Sequence, residues 1–321
     1  MVRENGVWAP GSCQASTMVV SSVSLFLMQL EVLSMGNFEN SETAMLPLPT
    51  LCSTTVCYPL SVSPKFSLER ALVGMARVGL TSVELVAIPG YCPHLDLNCM
   101  NDEATNILRS LLYKHGLSAI AINVSADLTL ESGLAYLYEA MRLAQALSVQ
   151  IVVTNIDQTE LEIGAMQFSR NLPKIVRYAE ECDVVVGLET HGGLIKTGQQ
   201  GVEFLKRFGS DRLKITYDTA NVIYCGGIKP DIDLAGMAND IGKYVGYVHL
   251  KDKANLLVGD YNFPAFGYGI LNFGTILKLL YEGGYRGPMS LEVELDGRPV
   301  TPELVDSSLA TSLSYLKQYF I

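Results

Sequence analysis

Val149-Gln150-Ile151-Val152-Val153 runs into a polar turn and then into the amphipathic stretch Ser169–Cys182, and this pairing decides the fold. A short, nearly continuous β-branched run predicts a parallel strand covered on both faces. Working outward, the same strand-then-helix unit recurs along the chain. Upstream lie Leu51–Tyr58 with Ser67–Val78, Thr81–Ile88 with Asp102–His115, and Leu117–Val124 with Ser132–Leu147. Downstream lie Asp183–Thr190 with Gly198–Phe208, Leu213–Thr219 with Pro230–Ile241, Tyr244–Lys251 with Asn272–Gly283, and Gly287–Glu294 with Pro302–Tyr319. Gly79, Gly116 and Gly283 close helices just before the next strand, as left-handed helix caps do. Eight such units predict an α/β protein of the (β/α)8 TIM-barrel class. A doubly wound open sheet would carry a glycine-rich phosphate turn after its first strand, and Ser61–Phe66 contains no glycine.

Of the 321 residues, 51–321 are assigned to the barrel as a single domain and 1–50 to a leader. The leader contains an apolar run, Met18–Leu33, that is short for a membrane span and lacks the flanks of a signal peptide. It reads as disordered, or as a start placed too early, with Met45 opening the chain proper. Charged residues make up only 17% of the chain, which suits strands buried on both faces. A net charge of −10 speaks against a nucleic-acid partner. The seven cysteines are an odd number and form no CxxC pair, so a disulfide framework is not expected and a reducing, cytoplasmic compartment is. No membrane association is expected, and nothing in the sequence argues against a homo-oligomer.

The polar residues collect at the carboxyl ends of four consecutive predicted strands, the face on which barrels of this class place their active sites. These ends read Leu188-Glu189-Thr190-His191, Thr216-Tyr217-Asp218-Thr219, Val248-His249-Leu250-Lys251 and Leu291-Glu292-Val293-Glu294. Singly, each has a plain structural explanation: a helix cap for a carboxylate, a satisfied core imidazole for His249. Together, three carboxylates in one mouth repel one another unless a cation neutralises them. Glu189, Asp218, His249 and Glu292 therefore form a candidate site for one divalent ion, with Mn2+, Mg2+, Co2+ and Zn2+ all compatible with such ligands. Glu294 shares strand parity with Glu292 and is expected to face inward.

The segments Gly187-Leu188-Glu189-Thr190-His191-Gly192-Gly193, Tyr217-Asp218-Thr219-Ala220-Asn221, Val248-His249-Leu250-Lys251-Asp252 and Ser290-Leu291-Glu292 resemble the strand-end motifs of the xylose isomerase-like superfamily. The resemblance spans residues 51 to 320 and implies a metal-dependent isomerase or epimerase of keto-sugars or inososes. Glu189 and Glu292 match the paired glutamates that hold the metal and move protons on opposite faces of the substrate through an enediolate; Asp218 and His249 match the remaining ligands. A dehydratase using the same site is the closest alternative. A DNA-repair endonuclease of the superfamily, with its trinuclear zinc site, needs more histidines than the four in this chain. Two departures detach the chain from the ketose 3-epimerase branch: Asn221 stands where a histidine is common, and Lys251-Asp252-Lys253-Ala254-Asn255 lacks that branch's arginine.

Further candidates for contact with a sugar or polyol are His191, Asn221, Glu294, His94 in the loop after the second strand, and Arg298 after the eighth. Lys251 either meets a substrate oxygen or phosphate, or pairs with Asp252 or another acid at the mouth.

Overall fold

The computed structural model describes residues 45–295 and 300–321. Eight parallel strands close into a barrel: β1 Leu51–Thr54, β2 Ser82–Ala87, β3 Ser118–Val124, β4 Ile151–Thr154, β5 Val185–Glu189, β6 Leu213–Asp218, β7 Val245–Leu250 and β8 Met289–Leu291, with β8 pairing back onto β1. The principal helices are α1 Leu68–Arg77, α2 Asp102–Lys114, α3 Glu131–Leu147, α4 Glu162–Glu181, α5 Gly198–Phe208, α6 Pro230–Met237, α7 Phe273–Glu282 and α8 Pro302–Lys317. This is the predicted (β/α)8 architecture.

The largest apolar cluster lies between strand wall and helices, joining Val83, Leu85, Ile122, Val152, Val186 and Ile215 to Leu72, Leu108, Leu137, Ile175 and Leu205. Burying each such side chain contributes about 1.5–3 kcal/mol. The barrel interior holds a much smaller apolar layer of Cys52, Ala121, Val153 and Tyr247. Period-two alternation therefore sends most of the hydrophobic content outward to the helices and leaves the interior for other side chains.

Several predicted boundaries shift, among them the first strand, which ends at Thr54 rather than Tyr58, and the eighth, which keeps only Met289–Leu291. Helix α4 starts seven residues ahead of Ser169, at Glu162, because its first turns expose Ile163 and Met166 and so hide the amphipathic pattern. The helix predicted over Pro230–Ile241 stops at Met237, where Ala238 takes φ +34° and ends the regular turns. Residues 45–50 belong to the barrel's base: the Leu46 N–H donates to Tyr319 O and Leu46 O accepts from the Ile321 N–H, both at 2.9 Å. The remaining leader residues, 1–44, lie outside the described part, as does Arg298. No helix among the described residues is long and apolar enough to cross a membrane, and their six cysteines are free thiols.

Candidate metal centre

Strand register carries the four predicted ligands to one point. Asp218 on β6 sits directly beside His249 on β7. Glu189 ends β5 level with Thr216, one inward-facing position before Asp218. Gly187, two residues before Glu189, leaves room for this neighbour, since a Cβ there would meet Thr216 Oγ1 at 2.1 Å. Glu292 follows β8, tied back by its N–H to Leu250 O at 2.9 Å. One donor atom from each of Glu189, Asp218, His249 and Glu292 lies within 4.8 Å of all the others, and all four residues are buried.

The bonding pattern shows how each is aimed. Asp218 Oδ1 accepts the backbone N–H groups of Ala220 and Asn221 at 2.8 and 2.7 Å. Its Oδ2 is buried with no hydrogen-bond partner among the described residues, an arrangement that ordinarily costs ~1–3 kcal/mol or more. His249 Nδ1 lies 3.1 Å from both Glu189 Oε1 and Glu292 Oε2. Asn221 Nδ2 donates to Glu189 Oε1 at 3.3 Å.

Electrostatics repeat the message. Burial pushes the Asp218 carboxyl up to about 7; Lys251 works against this rise, while Glu292 and Glu189 add to it. Burial alone would lower the His249 pKa, but Glu84, Glu189 and Glu292 outweigh it and hold the ring well above its ordinary value. Burial would likewise raise the Glu292 carboxyl, yet Lys251 and His249 keep it well below the usual range. A buried group of carboxylates with an orphaned oxygen aimed among them has the chemistry of a divalent-cation site, and these residues fit that group.

The other sequence candidates divide. Lys251 is buried, with Nζ bonded to Glu292 Oε1 at 2.8 Å and to Glu294 Oε2, and with the Phe263 ring centroid 4.2 Å away. Of its two expected roles, pairing with an acid is the one seen. The acid is not Asp252, whose carboxylate instead accepts backbone N–H groups from Lys253, Gly267, Gly269 and Leu271. Glu294 lies beyond the end of β8, outside the strand from which its parity was read, and accepts from the Tyr91 and Tyr261 hydroxyls at 3.0 and 2.6 Å. These three side chains line a cavity of about 310 Å³ together with Val56 and Val62; none of the four clustered residues lines it, and Lys251 links its Glu294 wall to Glu292.

His191 keeps part of its side chain exposed at the mouth, with Nδ1 2.9 Å from Asp157 Oδ2. Burial alone would lower its pKa, but Asp157 more than offsets that and raises it to about 10. Asn221 reaches Glu189, one of the four clustered residues. His94 does not join the centre. Its Nε2 lies 2.6 Å from Phe66 O and its Nδ1 3.5 Å from Cys92 Sγ, which occupies both ring nitrogens within the loops themselves.

Glu84, Asn123, Tyr91, Tyr261 and Asp157 were not singled out from the sequence. Only Glu84 carries a signal there, a lone acid inside Ser82-Val83-Glu84-Leu85-Val86 that burial obliges to find a partner.

Comparison with known proteins agrees with this fold. The family model described as xylose isomerase-like TIM barrel matches residues 75–318. A D-psicose 3-epimerase of Enterocloster bolteae is 31% identical over 130 residues, 38% of this chain and 38% of that protein. An inosose dehydratase of Erwinia tasmaniensis is 26% identical over 144 residues, covering 40% of this chain and 47% of that protein. The matched stretch thus spans less than half the length of either relative. Among solved structures, the IolI protein with a bound zinc atom superposes with a TM-score of 0.66 at 19% identity, over 84% of this chain and 99% of that one. At that identity the likeness concerns the fold alone.

Proposed function

The chain belongs to the xylose isomerase-like TIM-barrel family, and from that premise we propose that it is a divalent-metal-dependent isomerase or epimerase of a keto-sugar or inosose. The single observation that carries this is the orphaned, fully buried Asp218 Oδ2 among three further donors. Glu189, Asp218, His249 and Glu292 would hold one ion. When bound, such an ion supplies Lewis acidity that polarises a substrate carbonyl and lowers the cost of developing oxyanion charge.

The chain's own residues do the proton work. Glu189 and Glu292 approach His249 Nδ1 through separate carboxylate oxygens at 3.1 Å, so they come from two strands toward one centre. One removes the proton from the carbon beside the carbonyl and the other returns it, with an enediolate between the two steps. Glu292 is bonded to a lysine ammonium and Glu189 to a neutral amide. Tyr91, Tyr261 and Glu294 wall the cavity and offer hydroxyl and carboxylate oxygens to a polyol. His191, held by Asp157, stands at the mouth to donate a hydrogen bond to it. A cytoplasmic setting fits the free thiols.

The likeness to an inosose dehydratase supports a second reading, in which the same enediolate expels a β-hydroxyl. Incubation with keto-sugars and inososes in heavy water separates the two: solvent deuterium in an isomeric product supports the isomerase, and net loss of water supports the lyase. Glu189→Gln is expected to abolish turnover while the fold survives. Retention of most of the activity by that variant would remove the two-glutamate mechanism.

A further inference from the structure

A further carboxylate, beyond the three of the ligand set, lies inside the barrel. Glu84 on β2 is fully buried. Its Oε2 lies 3.0 Å from His249 Nε2, and its Oε1 accepts from Asn123 Nδ2 at 3.0 Å. Both partners come from other strands, so three elements converge on a carboxylate that no solvent reaches. The β2–β3 register slips between Val83 and Glu84, making Ile120 an extra residue on β3. Beyond this bulge Glu84 pairs with Ala121, and Asn123, two residues on, shares its interior face.

An imidazole has two ring nitrogens, and only the one without a proton can ligate. With an ion bound, a carboxylate accepting from Nε2–H keeps the proton there and leaves Nδ1, 3.1 Å from Glu189 Oε1 and Glu292 Oε2, as the nitrogen free to ligate. We propose that Glu84, clamped by Asn123, is the positioning residue that fixes the tautomer and ring orientation of His249 so that Nδ1 faces the ion; this rests on reading the four-residue cluster as a metal centre. Carboxylates placed behind ligating histidines act in this way in metal sites generally, and removing them weakens metal binding about 10–100-fold. Tyr247 packs edge-on against the ring, with centroids 5.4 Å apart, and limits tilt but offers no proton acceptor in its place.

The test uses the full chain, stripped with a chelator, then titrated with Mn2+ by calorimetry and with Co2+ by visible absorption. Glu84→Met keeps the volume without the acceptor, and is expected to weaken Mn2+ binding about 10–100-fold and to shift the Co2+ bands. Glu84→Gln keeps an acceptor and is expected to recover most of the affinity. Val153→Ala, a cavity in the same interior, is expected to leave metal affinity at the wild-type value. If Glu84→Met does not fold, Asn123→Leu, which frees the carboxylate from its clamp, takes its place with the same sign of effect. Wild-type affinity together with an unchanged Co2+ spectrum in the folded variant overturns the role of Glu84 alone. A wild-type protein that binds neither ion overturns the metal centre and this role with it.

Discussion

Lys251 and Glu292 form a buried ion pair across β7 and β8, with Nζ and Oε1 2.8 Å apart and both side chains less than a tenth exposed. The same ammonium also reaches Glu294, so one lysine stands between a proposed metal ligand and the wall of the cavity. Breaking such a pair on one side leaves uncompensated buried charge.

From that pairing, Lys251→Met is expected to lower unfolding stability by about 3–5 kcal/mol. Urea denaturation of metal-loaded protein measures this. The same variant should lose turnover, because Glu292 and Glu294 then repel each other at the mouth. Stability within about 0.5 kcal/mol of wild type, the range of neutral surface changes, would show the pair to be dispensable.

Removing the divalent ion should destabilise the fold as well as stop the reaction. A ligand that binds only the native state adds about 2.7 kcal/mol when its free concentration is 100 times Kd. Chelated protein should therefore melt several degrees lower, and Mn2+ or Zn2+ should restore the transition in a concentration-dependent way. Calorimetric scans with and without the ion test this. Identical scans would speak for a barrel that holds no metal.

His94 sets an acid limit on stability. Burial lowers its pKa below the ordinary 6.5, with hydrogen bonds to Phe66 and Tyr58 backbone opposing that shift. The folded state thus favours the neutral ring relative to the unfolded chain. Its stabilising contribution is complete above pH ~6.5 and is lost as pH falls from there through the folded value. Replacing the imidazole in His94→Gln should flatten the fall in urea midpoint between about pH 7.5 and 5.5. It should also cost about 1 kcal/mol at pH 7.5 for the bond to Phe66 O. A pH slope unchanged by the substitution would assign the acid sensitivity elsewhere.

The sequence by itself determined the barrel, because alternation of β-branched runs with amphipathic helices is a local signal repeated along the chain. It also determined that Glu189, Asp218, His249 and Glu292 share one mouth, since strand-end position alone puts a side chain there once the sheet is parallel and closed. Tertiary structure alone decided what each polar group does next. Glu84 and Asn123 lie far from His249 in sequence, and only strand order and the bulge at Ile120 bring them behind its ring. Lys251 is a lysine at a mouth until β8 delivers Glu292 and Glu294 to its ammonium. His94, predicted to overhang the site, is instead drawn to a carbonyl of the preceding loop. The physical reason is common to all three. Secondary structure follows from neighbours along the chain, whereas a buried polar atom is satisfied by whichever partner the closed barrel places within about 3 Å.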